Sequence, residues 1–282
     1  MCQLCYANLR AGTSGWSPRR GFLLAAAAAA ASPVIAQVNV GEASRLRSLV
    51  PAADLEKMAT QQYAQMMAQA RAQNALAPDT HPQLVRLRGI AQRLIAHSAK
   101  WNERAPKWRW EVNLIGSKQI NAFCMPGGKI AFFSGILDQL QLTDDEAGMV
   151  MGHEMAHALR EHARERIAKS QGTGIGLSLL SQLFGLGELG NMAANVGTQL
   201  LTLQFSRSDE IDADLVGLEI AARGGFNPDA SVSLWQKMGK ASGGGGGPGF
   251  LSTHPTGPDR IQRLQQNVPK VRGLYQQAIA RR

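Results

Sequence analysis

A chain of 282 residues, 44% of them hydrophobic, is long enough to bury a full core as one large domain or two small ones. Its 30 Lys+Arg against 21 Asp+Glu give a formal charge of +9, which raises nucleic acid or an anionic membrane as partners. The basic residues are scattered, with no aromatic-basic stripe or Lys/Arg block, so the composition speaks against a nucleic-acid groove and the charge reads as a general property of a soluble protein.

Residues 1–36 differ from the rest: SPRRGFLLAAAAAAASPVIA carries Arg19 and Arg20, an apolar run from Phe22 to Ala31, and small residues ending at Ala36. This is the pattern of an export signal with its cleavage site. The run falls short of the roughly 20 apolar residues that an anchor needs. PRRGFLL is similar to a twin-arginine signal, with Pro18 and Leu24 in place of that pattern's serine and lysine; an ordinary secretion signal is the alternative. The expectation is an export signal over 1–36 and a mature chain over 37–282 in the periplasm. Cleavage removes Cys2 and Cys5 and leaves Cys124, which reads as a buried small hydrophobe.

Residues 41–77, rich in Ala, Gln and Met, read as helix until Pro78 to Pro82 break it. Leu84, Leu87, Ala91, Leu94 and Ile95 recur at helical spacing and predict a second amphipathic helix to about Ala99. From Trp108 the period changes. WRWEVNLIG and KIAFFSG predict two or three strands between Trp108 and Ser134, with MPGG as a turn. Thr143 and Glu146 form a capping-box pattern, predicting one long helix to about Lys169. The stretch Gly172–Gly190 is a glycine- and leucine-rich amphipathic insertion, a candidate for peripheral membrane contact. A helix from about Gln204 ends at Gly224 and Gly225, and Asn227 and Pro228 open the next. SGGGGGPG, Ser242–Gly249, cannot hold regular structure, and Thr256 to Pro258 start a last helix.

VMGHEMAHALREH places His153 and His157 four apart. Such residues are about 400° apart on a helix and nearly share a face, so both imidazoles can point at one ion. Glu154, about 100° round from His153, reaches a water beside that ion without binding it. The alternative is a pair of exposed histidines with an incidental glutamate. A catalytic zinc needs a third protein ligand, and FSRSDEIDAD supplies candidates: Glu210 and Asp214 are again four apart, so one can ligate while the other fixes a histidine's tautomer. A solvated acidic face including Asp209 and Asp212 is the alternative there. His162 lies about 140° off the metal face and is set outside the site; His81 and His97 read as surface or core residues.

These motifs carry a family resemblance. H-E-x-x-H followed by S-R-x-x-E-x-x-A-D, matched at Ser206, Arg207, Glu210, Ala213 and Asp214, resembles the HtpX-like and CAAX-prenyl-protease-like zinc metallopeptidases. That gluzincin family includes the mitochondrial Oma-type proteases and periplasmic quality-control proteases. Asn121–Gly135 is similar to the family's Asn-Ala-Phe-x-x-Pro-Gly-Gly strand-turn-strand, and Ser252–Arg260 to its late Ser-Thr-His-Pro followed by an arginine. The match covers about residues 83–267, and without transmembrane patterns the chain resembles the soluble periplasmic branch.

The resemblance implies a mainly helical α+β zincin (gluzincin) fold with a small β-sheet beside the active-site helix. It implies one zinc ion per chain on His153, His157 and Glu210, with Glu154 as general base. Asp214 is expected to support a ligand histidine. Asn121, beside an edge strand, and Arg260 are expected to bind extended polypeptide, and His254 to donate to the oxyanion. The function implied is endopeptidase action on exported, misfolded or unassembled proteins. A zinc-stabilised chaperone-like binding protein is the alternative, disfavoured because a binding module has no use for Glu154. A hydrolase of non-peptide bonds is disfavoured by the strand at Asn121.

Overall fold

The computed structural model describes residues 38–171, 204–242, 250–254 and 258–281. The chain divides into Met1–Ile35, outside the described residues, and Ala36–Arg282, which carries every element below. The expected export signal, the Gly172–Gly190 insertion with its membrane contact, and the glycine run after Ser242 fall outside the described residues. No described helix is long and apolar enough to cross a membrane.

A 3₁₀ turn at Arg45–Leu49 precedes helix α1 (Ala52–Ala72), and α2 (Pro82–Ile95) follows. Pro82 opens α2 where a missing N–H costs nothing, and its buried residues Leu84, Leu87, Ile90, Ala91 and Leu94 form the expected stripe. Three strands come next: β1 (Glu111–Ile115), β2 (Ala122–Met125) and β3 (Lys129–Phe133). Their order is β1-β3-β2, with β2 antiparallel and β1 parallel to β3. Gly127 and Gly128 take φ of +83° and +79° in the β2–β3 turn, a conformation that explains the MPGG sequence. The sheet order leaves β2 at an edge.

The remaining elements are helices: α3 (Ser134–Leu140), α4 (Asp144–Leu159), α5 (His162–Gln171), α6 (Arg207–Arg223), α7 (Ala230–Ser242), α8 (Phe250–Thr253) and α9 (Pro258–Ala280). The expected α+β architecture is present, mainly helical with a small sheet. Both site helices start on reciprocal caps. Thr143 Oγ1 accepts the Glu146 N–H at 3.2 Å while Glu146 Oε2 accepts the Thr143 N–H at 3.0 Å. Ser206 and Asp209 repeat the exchange at 3.2 and 2.9 Å.

The long helix expected from Thr143 to about Lys169 is two helices. Arg160 closes α4, and Glu161 takes the left-handed φ of 62°, so α5 leaves in a new direction. Glu161 is held there by arginines: its carboxylate receives Arg104 and Arg47 Nη1 at 3.3 Å from distant segments and Arg164 Nη1 at 2.5 Å from the following helix.

From Glu146 to Leu159 every residue of α4 is buried, as expected for the central helix of a layered core. Its crossing with α6 is set by two glycines. A Cβ on Gly152 would lie 2.8 Å from Gly217 O, and one on Gly217 would lie 2.6 Å from His153 N. Backbone therefore meets backbone at this crossing, one residue from His153 and less than one turn beyond Asp214.

Candidate metal centre

His153 and His157 lie on α4, Glu210 on α6, and His254 just past α8. Their donor atoms all fall within 4.8 Å of one another, and all four residues are buried. His153 Nε2 is 3.1 Å from His157 Nε2 and 3.3 Å from His254 Nδ1. Glu210 reaches them with both oxygens: Oε2 is 3.6 Å from His153 Nε2, and Oε1 is 3.5 Å from His157 Nε2 and 2.9 Å from His254 Nδ1. The edge of a tetrahedron with bonds of about 2.0–2.1 Å is about 3.3 Å. The donor set, three imidazole nitrogens and a carboxylate, and its spacing therefore fit one zinc ion. Two buried ring nitrogens facing each other at 3.1 Å also require a cation or a proton between them.

Glu154 points into the same space. Its Oε1 is buried without a hydrogen bond and lies 3.5 Å from His254 Nε2. Burial pushes its carboxyl above the usual value against the pull of His254 and His153, while the Cys124 main-chain N–H hydrogen-bonds to it. Cys124 itself is buried as expected. Burial drives His157 well below the ordinary imidazole value, helped by His153 and His162, so its ring is neutral. For Glu210, burial acts upward, but the His254 hydrogen bond and the charges of His153, His254 and Arg260 outweigh it and hold the carboxyl low.

Asp214 Oδ1 lies 3.0 Å from His153 Nδ1. Arg260, expected to bind substrate, is placed beside the acidic residues of α6. Its guanidinium is buried, donates to Asp214 at 2.7 and 2.8 Å, sits 2.7 Å from Glu210 Oε2 and stacks on Trp235 at 3.8 Å. It clamps the two carboxylates of α6, Asp214 and Glu210. His254, expected as an oxyanion donor, stands within the donor cluster.

Three further residues escaped sequence reasoning. His162, set aside by a 140° projection, touches the site because the helix breaks before it: its Nδ1 is 2.9 Å from His157 Nδ1, and its Nε2 is 3.1 Å from Asp212 Oδ2. Phe205 stacks on His157 with centroids 4.0 Å apart. A continuous-helix projection has no means of finding His162; the Asp212 carboxylate sat in plain view within FSRSDEIDAD.

A cleft opens beside the cluster, with Glu154 and His157 on one wall and Asn121 and the residues of β2 on another. Phe205 and His254 close one part of it, and Arg104, Glu161 and Arg164 line the far part.

Comparison with known proteins agrees with this geometry. The profile of peptidase family M48 matches residues 82–268, more than half of the chain. The chain is 32% identical over 220 residues to mitochondrial metalloendopeptidase OMA1 of Schizosaccharomyces pombe, covering 77% of this chain and 62% of that protein. It is 29% identical over 154 residues to metalloprotease LoiP of Escherichia coli, covering 54% and 60% of the two chains. It is also similar to the beta-barrel assembly-enhancing protease of Escherichia coli, at 25% over 205 residues, 68% of this chain and 40% of the relative. The chain thus spans less than two thirds of the length of each of these relatives.

Proposed function

Because this chain belongs to peptidase family M48, we propose that it is a zinc-dependent endopeptidase whose zinc is held by His153, His157 and Glu210. The observation that carries the reading is the buried cluster of three imidazoles and a carboxylate with an unpartnered Glu154 oxygen aimed into it. A zinc ion in that cluster supplies Lewis acidity toward water and toward the scissile carbonyl. Glu154 Oε1 takes a proton from the attacking water and returns it to the leaving amide nitrogen, a task suited to a carboxyl raised by burial. His254 Nδ1 lies 3.3 Å from His153 Nε2 and 2.9 Å from Glu210 Oε1, near enough to a zinc ion held there for its imidazole to donate to the carbonyl oxygen.

Asn121 and the edge strand β2 line the cleft beside Glu154, which supports an extended polypeptide lying along β2 as the substrate. We place those substrates among exported, misfolded or unassembled proteins on the strength of Arg19, Arg20, the apolar run from Phe22 to Ala31 and the small residues ending at Ala36. Purified protein incubated with casein tests the reading. Cleavage that a chelator abolishes and added zinc restores is the expected result; casein held without cleavage would support a binding protein instead.

A further inference from the structure

The structure assigns His162 and Asp212 the positioning of His157: together they hold it in the one tautomer that can bind zinc through Nε2. The inference rests on the reading of His157 as a zinc ligand and goes beyond it to two residues that touch no metal.

His157 Nε2 faces the cluster, 3.1 Å from His153 Nε2 and 3.5 Å from Glu210 Oε1. A neutral imidazole that ligates through Nε2 must carry its hydrogen on Nδ1. That Nδ1 lies 2.9 Å from His162 Nδ1, and two ring nitrogens at this distance share one hydrogen. If His157 donates it, His162 accepts at Nδ1 and keeps its own hydrogen on Nε2. Asp212 Oδ2 stands 3.1 Å from that Nε2, ready to accept. The reverse tautomer of His162 would set a lone pair against the carboxylate and would return a hydrogen to His157 Nε2, where the zinc must go.

Asp212 is itself held. Arg160 Nε donates to Asp212 Oδ2 at 2.7 Å, so the chain of contacts runs from Arg160 through Asp212 and His162 to His157. The first ligand has the same support in a shorter form: His153 Nδ1 meets Asp214 at 3.0 Å, and Arg260 clamps Asp214 with two hydrogen bonds. Each ligand histidine thus donates its outer nitrogen toward an arginine-held aspartate of α6, directly for His153 and through an interposed imidazole for His157. Packing alone does not explain the second arrangement. Phe205 stacks on His157 at 4.0 Å and restrains its plane, but a stacked face is indifferent to a ring flip that exchanges Nδ1 with carbon. On the side of the ring away from the cluster, the hydrogen bond to His162 distinguishes the two.

The test is zinc affinity of the whole protein, read by competition with a chelator of known affinity. His162→Leu removes the acceptor and is expected to raise the zinc Kd about 10–100-fold, the usual effect of losing such an outer partner. His162→Asn places an amide oxygen near the former Nδ1 and is expected to recover most of that loss. Asp212→Ala leaves His162 in place, removes what selects its tautomer, and is expected to weaken zinc in the same direction; it carries the test if His162→Leu does not fold. Zinc held by His162→Leu or by Asp212→Ala as tightly as by the parent overturns the inference, as does equal loss in the Leu and Asn variants. A parent protein that binds no zinc overturns the ligand reading itself, and the inference with it.

Discussion

Gly217→Ala probes the contact that brings the two ligand-bearing helices together. The added Cβ would lie 2.6 Å from His153 N and 2.7 Å from Gly152 C, roughly 0.9 Å short of the 3.5 Å at which non-bonded carbon contacts become favourable. Both atoms belong to main chain, so neither can rotate away, and α4 and α6 must part. Overpacking of this kind costs about 1–3 kcal/mol, while Ala in a helix interior gains about 1 kcal/mol over Gly. With two main-chain clashes the upper end applies, leaving a net loss of about 2 kcal/mol, or about 4–8 °C in Tm for a domain of this size. The same displacement carries Glu210 and Asp214 away from His153, so zinc retention should fall with stability. Gly239→Ala on α7 is the control, because nothing lies within 4 Å of its added Cβ. Thermal unfolding and elemental analysis of the two variants decide the matter. A Gly217→Ala protein that matches Gly239→Ala in both Tm and zinc content would refute the reasoning.

Glu210→Ala should lose most of its zinc by elemental analysis; full occupancy would move the third ligand elsewhere. Glu146, which caps α4 and also receives Lys237 Nζ at 2.6 Å and Ser233 Oγ at 2.8 Å, has its carboxyl held below its ordinary 4.5: burial acts upward, but the Lys237 and Thr143 hydrogen bonds outweigh it. A depressed folded value contributes stability above the unfolded pKa and loses it as pH falls through the folded one, so Glu146→Gln should be less stable than the parent in urea at neutral pH, with the gap closing below about pH 4. A gap that stays constant down that range would count against the charge. Replacing Arg19 and Arg20 by Lys should leave the precursor in the cytoplasm; normal export would point to the general secretion route.

What the sequence made legible here is what local period carries. His153, Glu154 and His157 are readable because helical rotation alone brings i and i+4 to one face, and Glu210 with Asp214 for the same reason. The strand-turn-strand at Asn121–Gly135 is readable because Gly127 and Gly128 mark a turn where the chain needs positive φ. The end of α4 is not readable, because Glu161 is neither glycine nor asparagine and no local signal announces its φ of 62°. Arginines from the 3₁₀ turn and from position 104 reach it across the fold, and such long-range contacts leave no periodic trace. That single residue hid both the helix break and His162. Arg260 was found by motif, but spacing says only that it comes near the site and not that its guanidinium turns onto Asp214 and Glu210. The Gly152–Gly217 crossing looks in sequence like two helix-weakening residues and shows its purpose only when the backbones meet.

The central claim is that Glu154 works as the proton carrier of a zinc peptidase, and Glu154→Gln tests it most directly, since the amide keeps the shape of the side chain and cannot take a proton. Zinc content and casein cleavage are measured on the same preparation. The account predicts zinc equal to the parent's and cleavage slower by about 10²–10⁴-fold. Cleavage by the Gln variant at the parent rate, with zinc in place, would contradict it.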